Sequence, residues 1–242
     1  MMKKCKTAVI MAAGLGSRFG KMTESMPKGF IEVGGTSMIE RSLRTLIAAG
    51  IERIVIGTGY KSETYEALKT RYPQIETCHS PRYAETNSMY TLWTMRHLIG
   101  DDDFLLLESD LVFELRALTT LLDDAHPDIM LVSPVTKFQD QYYVAVDAQG
   151  NLSNCSTDET ALDYGGELVG IHKLSYAFYK AMCASYATLV DAQPKLGYEY
   201  QLITMSNSGH PLYVKVVDGL QWYEIDDEND RRYAEEHIIP QL

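Results

Sequence analysis

What most restricts the fold of this chain is a rhythm in its first half: short apolar runs that stop at small residues, alternating with stretches of helical spacing. Residues 8–13 form a compact apolar run ending at Gly14, the pattern of a strand buried on both faces of a parallel sheet. Ile39, Leu43, Leu46 and Ile47 recur at helical spacing over 38–49, and Gly50 follows as a stop. The same reading predicts strands over 53–57, 74–79 and 104–108, with helices over 62–72 and 89–99 between them. Strands separated by helices of this length imply right-handed βαβ units and a sheet covered on both sides. Later the rhythm loosens. Strands are expected over 128–134, 142–147 and 212–217 and a helix over 175–188. With no Ser/Gly-rich linker and no internal repeat, the expected fold is α/β: a doubly wound, Rossmann-like, mainly parallel sheet with an antiparallel insertion in the second half.

Composition narrows the classes of function. Hydrophobic residues are 45% and charged residues 23% of 242, which is globular and not disordered usage. A formal net charge of −11 argues against a duplex nucleic-acid partner, which requires a basic footprint. It leaves room for a local cluster of Lys and Arg to hold a phosphate. Cys5, Cys78, Cys155 and Cys183 are scattered singly and read as reduced thiols, not as a disulfide framework or a zinc site. The basic residues 1–6 followed by apolar 7–13 imitate a secretory leader, but the apolar part is short and runs into Gly14-Leu15-Gly16-Ser17-Arg18; a buried strand explains it. No run reaches the 18 apolar residues of a membrane span, so no membrane is expected and the location expected is cytoplasmic. The six histidines form no ligand pair, and His172 is expected to pack near the insertion strand.

The loop after the first strand, Ala12-Ala13-Gly14-Leu15-Gly16-Ser17-Arg18, lets backbone approach a ligand and present successive N–H groups, an anion cradle. Two well-known glycine patterns fail. Gly20 arrives one residue late for a dinucleotide fingerprint, and Met22 replaces the hydroxyl of a Walker loop. After Arg18 and eight further residues the chain reads Pro27-Lys28, then Ile31-Glu32-Val33-Gly34-Gly35-Thr36-Ser37-Met38-Ile39-Glu40-Arg41. This succession resembles the signature of the nucleotidyltransferases that activate sugars and small phosphorylated alcohols by coupling them to a nucleoside monophosphate. Within that family the chain is most similar to the small cytidylyltransferases of the 2-aminoethylphosphonate and phosphocholine type. The likeness runs from Lys6 to about Ala234, carried by Thr58-Gly59-Tyr60, Thr86-Asn87-Ser88-Met89-Tyr90, Asp110-Leu111-Val112-Phe113 and Trp222-Tyr223-Glu224-Ile225-Asp226.

The resemblance implies a nucleotidyltransferase fold with 1–135 as the nucleotide-binding half, 136–215 as an acceptor-binding insertion and 216–242 as a C-terminal metal-ligand segment and helix. It assigns Lys28 to the α-phosphate and the incoming oxygen, Arg18 with the backbone N–H groups of Gly14 to Ser17 to the leaving pyrophosphate, and Ala12 and Ala13 to the nucleotide-binding loop. Thr86, Asn87 and Ser88 fall near the base and ribose; the same residues are favoured helix N-caps. Asp110, at the carboxyl end of the expected fourth strand, and Asp226, rather than Asp227, are the implied Mg²⁺ ligands. Magnesium needs only one or two carboxylates plus phosphate oxygens. CTP as donor enters by resemblance alone, as does a fusion or partnership with another enzyme of the pathway. The expected reaction gives CMP-2-aminoethylphosphonate and pyrophosphate, with phosphocholine as the alternative acceptor and then a sugar phosphate. A non-enzymatic nucleotide-binding module is the reading from another class, but the arginine, lysine and aspartates it would lose first are all present.

The acceptor's cation separates the first two. A trimethylammonium wants an aromatic cage, whereas a primary ammonium donates hydrogen bonds to carboxylates. The phosphocholine enzymes resemble one another in carrying a tryptophan in the insertion strand; here Lys137-Phe138-Gln139-Asp140-Gln141-Tyr142-Tyr143-Val144 has none. Trp93 is expected in a core-facing helix. Glu167 and Glu199, read as loop acids, are the candidate carboxylates, and Tyr142, Tyr143 and Tyr198 the candidate cage.

Overall fold

The computed structural model describes residues 5–136, 141–158 and 160–242. The insertion residues 137–140 lie outside them. The first half contains β1 (Thr7–Ala12), α1 (Lys21–Ser25), β2 (Glu32–Val33), β3 (Thr36–Ser37), α2 (Met38–Ala48), β4 (Arg53–Thr58), α3 (Ser62–Ala67), β5 (Ile75–His79), α4 (Ser88–Thr94), α5 (Arg96–Ile99) and β6 (Phe104–Glu108). Then come β7 (Leu111–Phe113), α6 (Leu115–Asp123), β8 (Ile129–Ser133), β9 (Tyr143–Val146), β10 (Leu152–Ser156) and β11 (Gly166–Leu174). The chain closes with α7 (Tyr176–Ala187), α8 (Tyr198–Ser206), β12 (Tyr213–Val216), β13 (Trp222–Glu224) and α9 (Glu228–His237).

The central sheet runs β10-β9-β11-β6-β1-β4-β5, with β8 and β12 branching from β11. β1 pairs in parallel with both β4 and β6, while β11 meets β6, β8 and β9 antiparallel. This is the doubly wound, mostly parallel sheet with antiparallel additions that the alternation implied. Strand order reverses at β1, so a crevice opens beyond the carboxyl ends of β1 and β6, where ligands of such sheets bind.

Period-2 alternation explains the two layers. Ala8, Ile10, Leu105 and Leu107 face one core with Ile39, Leu43 and Leu46 of α2 and Leu118 of α6. Val9, Met11 and Leu106 face the other, with Met89 and Leu92 of α4 and Phe178 of α7. Each such aliphatic side chain removed from water contributes about 1.5–3 kcal/mol. A third, smaller cluster joins Ile31, Val33, Val112, Tyr223, Ile225 and Ala234, and thereby docks the C-terminal segment onto the glycine-loop side.

Several expectations need correction. The 62–72 helix becomes α3 followed by a 3₁₀ turn over Leu68–Thr70. The 89–99 helix divides at Met95 into α4 and α5. β11, the nine-residue strand at the sheet's centre, was not expected, because Glu167, His172 and Lys173 break its apolar run although all three are buried. His172 therefore lies within that central strand, paired with Leu106 and Met130. α6 and α8 were also unexpected. Trp93 is partly buried against one core, and the Arg96 guanidinium covers its ring 3.6 Å from the centroid. All four cysteines are free thiols; burial raises Cys5 and Cys183 to about 11 and Cys155 to about 12, which leaves them unreactive. Among the described residues, no helix is long and apolar enough to cross a membrane.

Candidate active site

The β1 run ends at Ala12, and the loop that follows turns at Gly16, whose φ of 64° is left-handed. A Cβ at Gly16 would stand 2.9 Å from the Lys28 Cβ, so glycine is required twice, for the turn and for the approach of Lys28. After it, Ser17–Phe19 form a 3₁₀ turn carrying Arg18 outward. Lys28 opens a second 3₁₀ turn after Pro27. Its Nζ donates to Asp110 Oδ2 and to Asp226 Oδ1, both at 2.7 Å, and an Arg18 Nη reaches the same Asp226 oxygen at 2.7 Å. Burial alone would lower the lysine's pKa; the two carboxylates reverse that and hold it above its ordinary value.

Two remote segments meet because β7 and β13 form an antiparallel ladder, with Glu224 opposite Leu111, and Ile225 N–H donates to the Asp110 carbonyl at 2.9 Å. Asp227 caps α9 immediately after, in a reciprocal box with Asp230. The aspartate facing Lys28 is therefore Asp226, while Asp227 serves the helix.

The crevice is a cavity of about 210 Å³ lined by Ala12, Ala13, Gly14, Gly16, Lys28, Thr86, Asn87, Ser88, Glu108 and Asp110, with Tyr65, Tyr83 and Thr91 among its walls. Of the residues expected here, Leu15 and Ser17 do not line it; Leu15 is 46% exposed. Asp226 reaches it through Lys28, and Arg18 through Asp226. Asn87 caps α4, its side chain accepting from Ser88 N–H, and Ser88 Oγ accepts from Tyr198 N–H at 2.9 Å. The segment thus caps a helix and walls the cavity at once.

Two acids not singled out from the sequence stand beside Asp110. Carboxylate oxygens of Glu108, Asp110 and Glu224 lie within 4.8 Å of one another. Glu108 is held well above its usual range by burial, then by the charges of Asp110, Glu224 and Glu199. Asp110 Oδ1 is buried with no hydrogen-bond partner. Crowded carboxylates and an orphaned acceptor fit a hard divalent cation that takes oxygen ligands. The sequence did carry a signal: Glu108-Ser109-Asp110 and Glu224-Ile225-Asp226 are two Glu-x-Asp pairs, and residues two apart share one side of extended backbone.

Glu108 is also fixed from behind. The Tyr198 hydroxyl donates to Glu108 Oε1 at 2.7 Å and meets His172 Nε2 at 3.1 Å. Burial drops His172 to about 3, so the ring is neutral. Gly170, at φ 77°, lets the β11 backbone pass where a Cβ would lie 3.0 Å from Glu108 Oε2.

The expected acceptor residues are placed differently from a loop reading. Glu167 is buried on β11, and its carboxylate accepts from Thr136 N–H at 2.6 Å and from the Thr136 hydroxyl. Glu199 sits in the first turn of α8, 8% exposed and raised by burial to about 7. Tyr142 packs on Tyr200, Tyr143 on Tyr164 and Tyr198 on His172, so each candidate cage ring has a different neighbour.

Comparison with known proteins gives this geometry a context. The chain is 37% identical over 105 residues to a 2-aminoethylphosphonate cytidylyltransferase of Lancefieldella rimae, 43% of each chain. It is 40% identical over 94 residues to a choline-phosphate cytidylyltransferase of Haemophilus influenzae, 39% of this chain and 40% of that one. The matched stretches thus span less than half the length of these curated relatives. The solved CTP:phosphocholine cytidylyltransferase of Streptococcus pneumoniae superposes with a TM-score of 0.79 at 21% identity, covering 96% of this chain and 98% of that one, which establishes a shared fold. The family model described as a MobA-like NTP transferase domain matches residues 8–217. Since that match runs from the first strand through β12, the chain belongs to the MobA-like NTP transferase domain family.

Proposed function

We propose that this chain is a cytidylyltransferase that transfers CMP from CTP to 2-aminoethylphosphonate, giving CMP-2-aminoethylphosphonate and pyrophosphate. The observation that carries the reading is the convergence of Lys28, Asp110 and Asp226 at the crevice beyond β1 and β6. One ammonium held between two remote carboxylates suits a site where anions arrive and leave. Lys28 would turn to the α-phosphate, and Arg18, 53% exposed, to the departing pyrophosphate beside the Gly14–Ser17 backbone. Base and ribose would lie against Thr86, Asn87 and Ser88.

The acceptor's phosphonate oxygen is already an anion, so no general base is needed. Its oxygen forms a bond to the α-phosphorus as the bond to the pyrophosphate oxygen breaks in line. The protein's contribution is to hold two anions together and offset the charge that develops between them. Glu108, Asp110 and Glu224 would hold Mg²⁺, with Asp226 at its edge; a bound Mg²⁺ supplies charge neutralisation on phosphate oxygens. Tyr198 keeps Glu108 oriented toward that set.

Glu199, near enough to Glu108 for their charges to interact, is a carboxylate outside the metal set and favours an acceptor that carries a cation. A primary ammonium can donate to such carboxylates, and the dispersed tyrosines argue for it over a trimethylammonium. The test is a pyrophosphate-release assay with Mg²⁺, offering CTP, UTP, ATP and GTP in turn with 2-aminoethylphosphonate, phosphocholine and glucose 1-phosphate. Turnover specific to CTP and 2-aminoethylphosphonate is expected; release with UTP and the sugar phosphate alone refutes the assignment.

A further inference from the structure

No step of that reaction uses a second cavity, on the α2–α6 side of the sheet. It encloses about 470 Å³ and is lined by Arg41, Arg44 and Thr45 of α2, by Glu114 and Arg116 at the start of α6, and by Gln241. Glu114 follows β7 and Asp110 precedes it, so the two cavities are about 13 Å apart along that strand at ~3.3 Å per residue.

Three guanidinium groups therefore face one space, and two of them, Arg41 and Arg44, have no carboxylate to themselves. Arg41 donates to the Val33 carbonyl at 2.9 Å, but its Nε is buried and has no hydrogen-bond partner. Among the described residues no carboxylate lies within ion-pair distance of Arg41. Burial and the neighbouring charge of Arg44 both pull its pKa down, the mark of a cation lacking an acid. Arg44 approaches Glu40 at 3.7 Å, but Arg71 holds the same carboxylate oxygen at 2.8 Å. Arg116, by contrast, is paired with Glu114 at 2.9 Å and donates to the Asp218 and Gly219 carbonyls, so it is satisfied and only walls the cavity. In a chain of net charge −11, leaving a half-buried guanidinium without an anion costs free energy that a bound anion would offset.

We propose that this cavity is a second, non-catalytic ligand site for a multivalent oxyanion, an organic phosphate or a polycarboxylate. The planar donor forks of Arg41 and Arg44, one helical turn apart, match the paired oxygens of such groups. The cavity's volume, within the range of small-molecule sites, accommodates more than the anionic head alone. The assignment does not rest on the identity of the acceptor or the nucleotide at the crevice.

The experiment is calorimetric titration of the metal-free protein with inorganic phosphate and, separately, with citrate. Arg44→Gln, at a side chain 58% exposed in the parent, and Arg41→Gln are compared with Lys28→Met. At least one of the two probes is expected to bind at one equivalent, with an affinity about tenfold or more lower in each arginine variant. Lys28→Met is expected to bind that probe as the parent does, and Arg44→Gln to keep the parent's turnover. The proposal is overturned if neither probe binds, if the arginine variants bind as the parent does, or if Lys28→Met abolishes the binding.

Discussion

Replacing Lys28 by methionine removes one charge and little volume from the point where three segments meet. Its ammonium lies 2.7 Å from Asp110 Oδ2 and from Asp226 Oδ1, so those oxygens are no farther apart than twice that distance. The side chains are 14%, 19% and 6% exposed respectively, close to the buried regime, where removing one partner of an ion pair costs about 3–5 kcal/mol. Arg18 still holds Asp226 at 2.7 Å, which places the loss at the lower end, about 3 kcal/mol. Urea denaturation of metal-free protein at pH 7 measures it. Turnover, followed by pyrophosphate release, should fall by about 10²–10³, the usual cost of losing a positioned donor to developing charge. Added Mg²⁺ should restore more stability to the variant than it adds to the parent, since the carboxylates no longer have the ammonium to satisfy them. Stability within about 1 kcal/mol of the parent, together with turnover within about tenfold, refutes the reasoning.

Four further outcomes are expected. Glu224→Gln should weaken Mn²⁺ binding, read by electron paramagnetic resonance, by about 10–100-fold, and an unchanged affinity removes Glu224 from the metal set. Gly16→Ala should destabilise by about 1–2 kcal/mol, the left-handed penalty, and lower kcat because its Cβ would press on Lys28; a variant equal to the parent in both contradicts the account of that turn. His172 is neutral when folded, with its pKa dropped by burial to about 3, so the unfolded chain binds its proton first as pH falls below about 6.5. Stability present above that pH should be lost progressively toward pH 3, by about 3 kcal/mol at pH 4.5; His172→Gln, which cannot titrate, should lack this component in urea titrations at pH 7 and 4.5. Glu199→Gln should raise KM for 2-aminoethylphosphonate at least several-fold with KM for CTP unchanged, and equal effects on both substrates would remove it from the acceptor side.

How much was legible depends on the range of each interaction. β1, β4, β5 and β6 and the helices between them were readable because each announces itself locally, by apolar runs and stops such as Gly14 and Gly50. β11 was not. Its Glu167, His172 and Lys173 look like surface residues until partners at Thr136, Tyr198 and the Leu121 carbonyl are known, and those partners lie 31, 26 and 52 residues away. α8 was misread for a related reason: buried Tyr198 and Glu199 owe their place to contacts across the fold.

By itself, then, the order of residues determined the layered architecture, the glycine loop after β1, and the family signature from Ala12 to Lys28, because these are set by spacing within a few turns of chain. Only the folded chain decided that Glu108 and Glu224 stand beside Asp110. The β7–β13 ladder brings Glu224 and Asp226 to Glu108 and Asp110 across more than a hundred residues, and it leaves Asp227 to cap α9. Electrostatic pairing depends on distance in space, and that distance is set by how the sheet is wound.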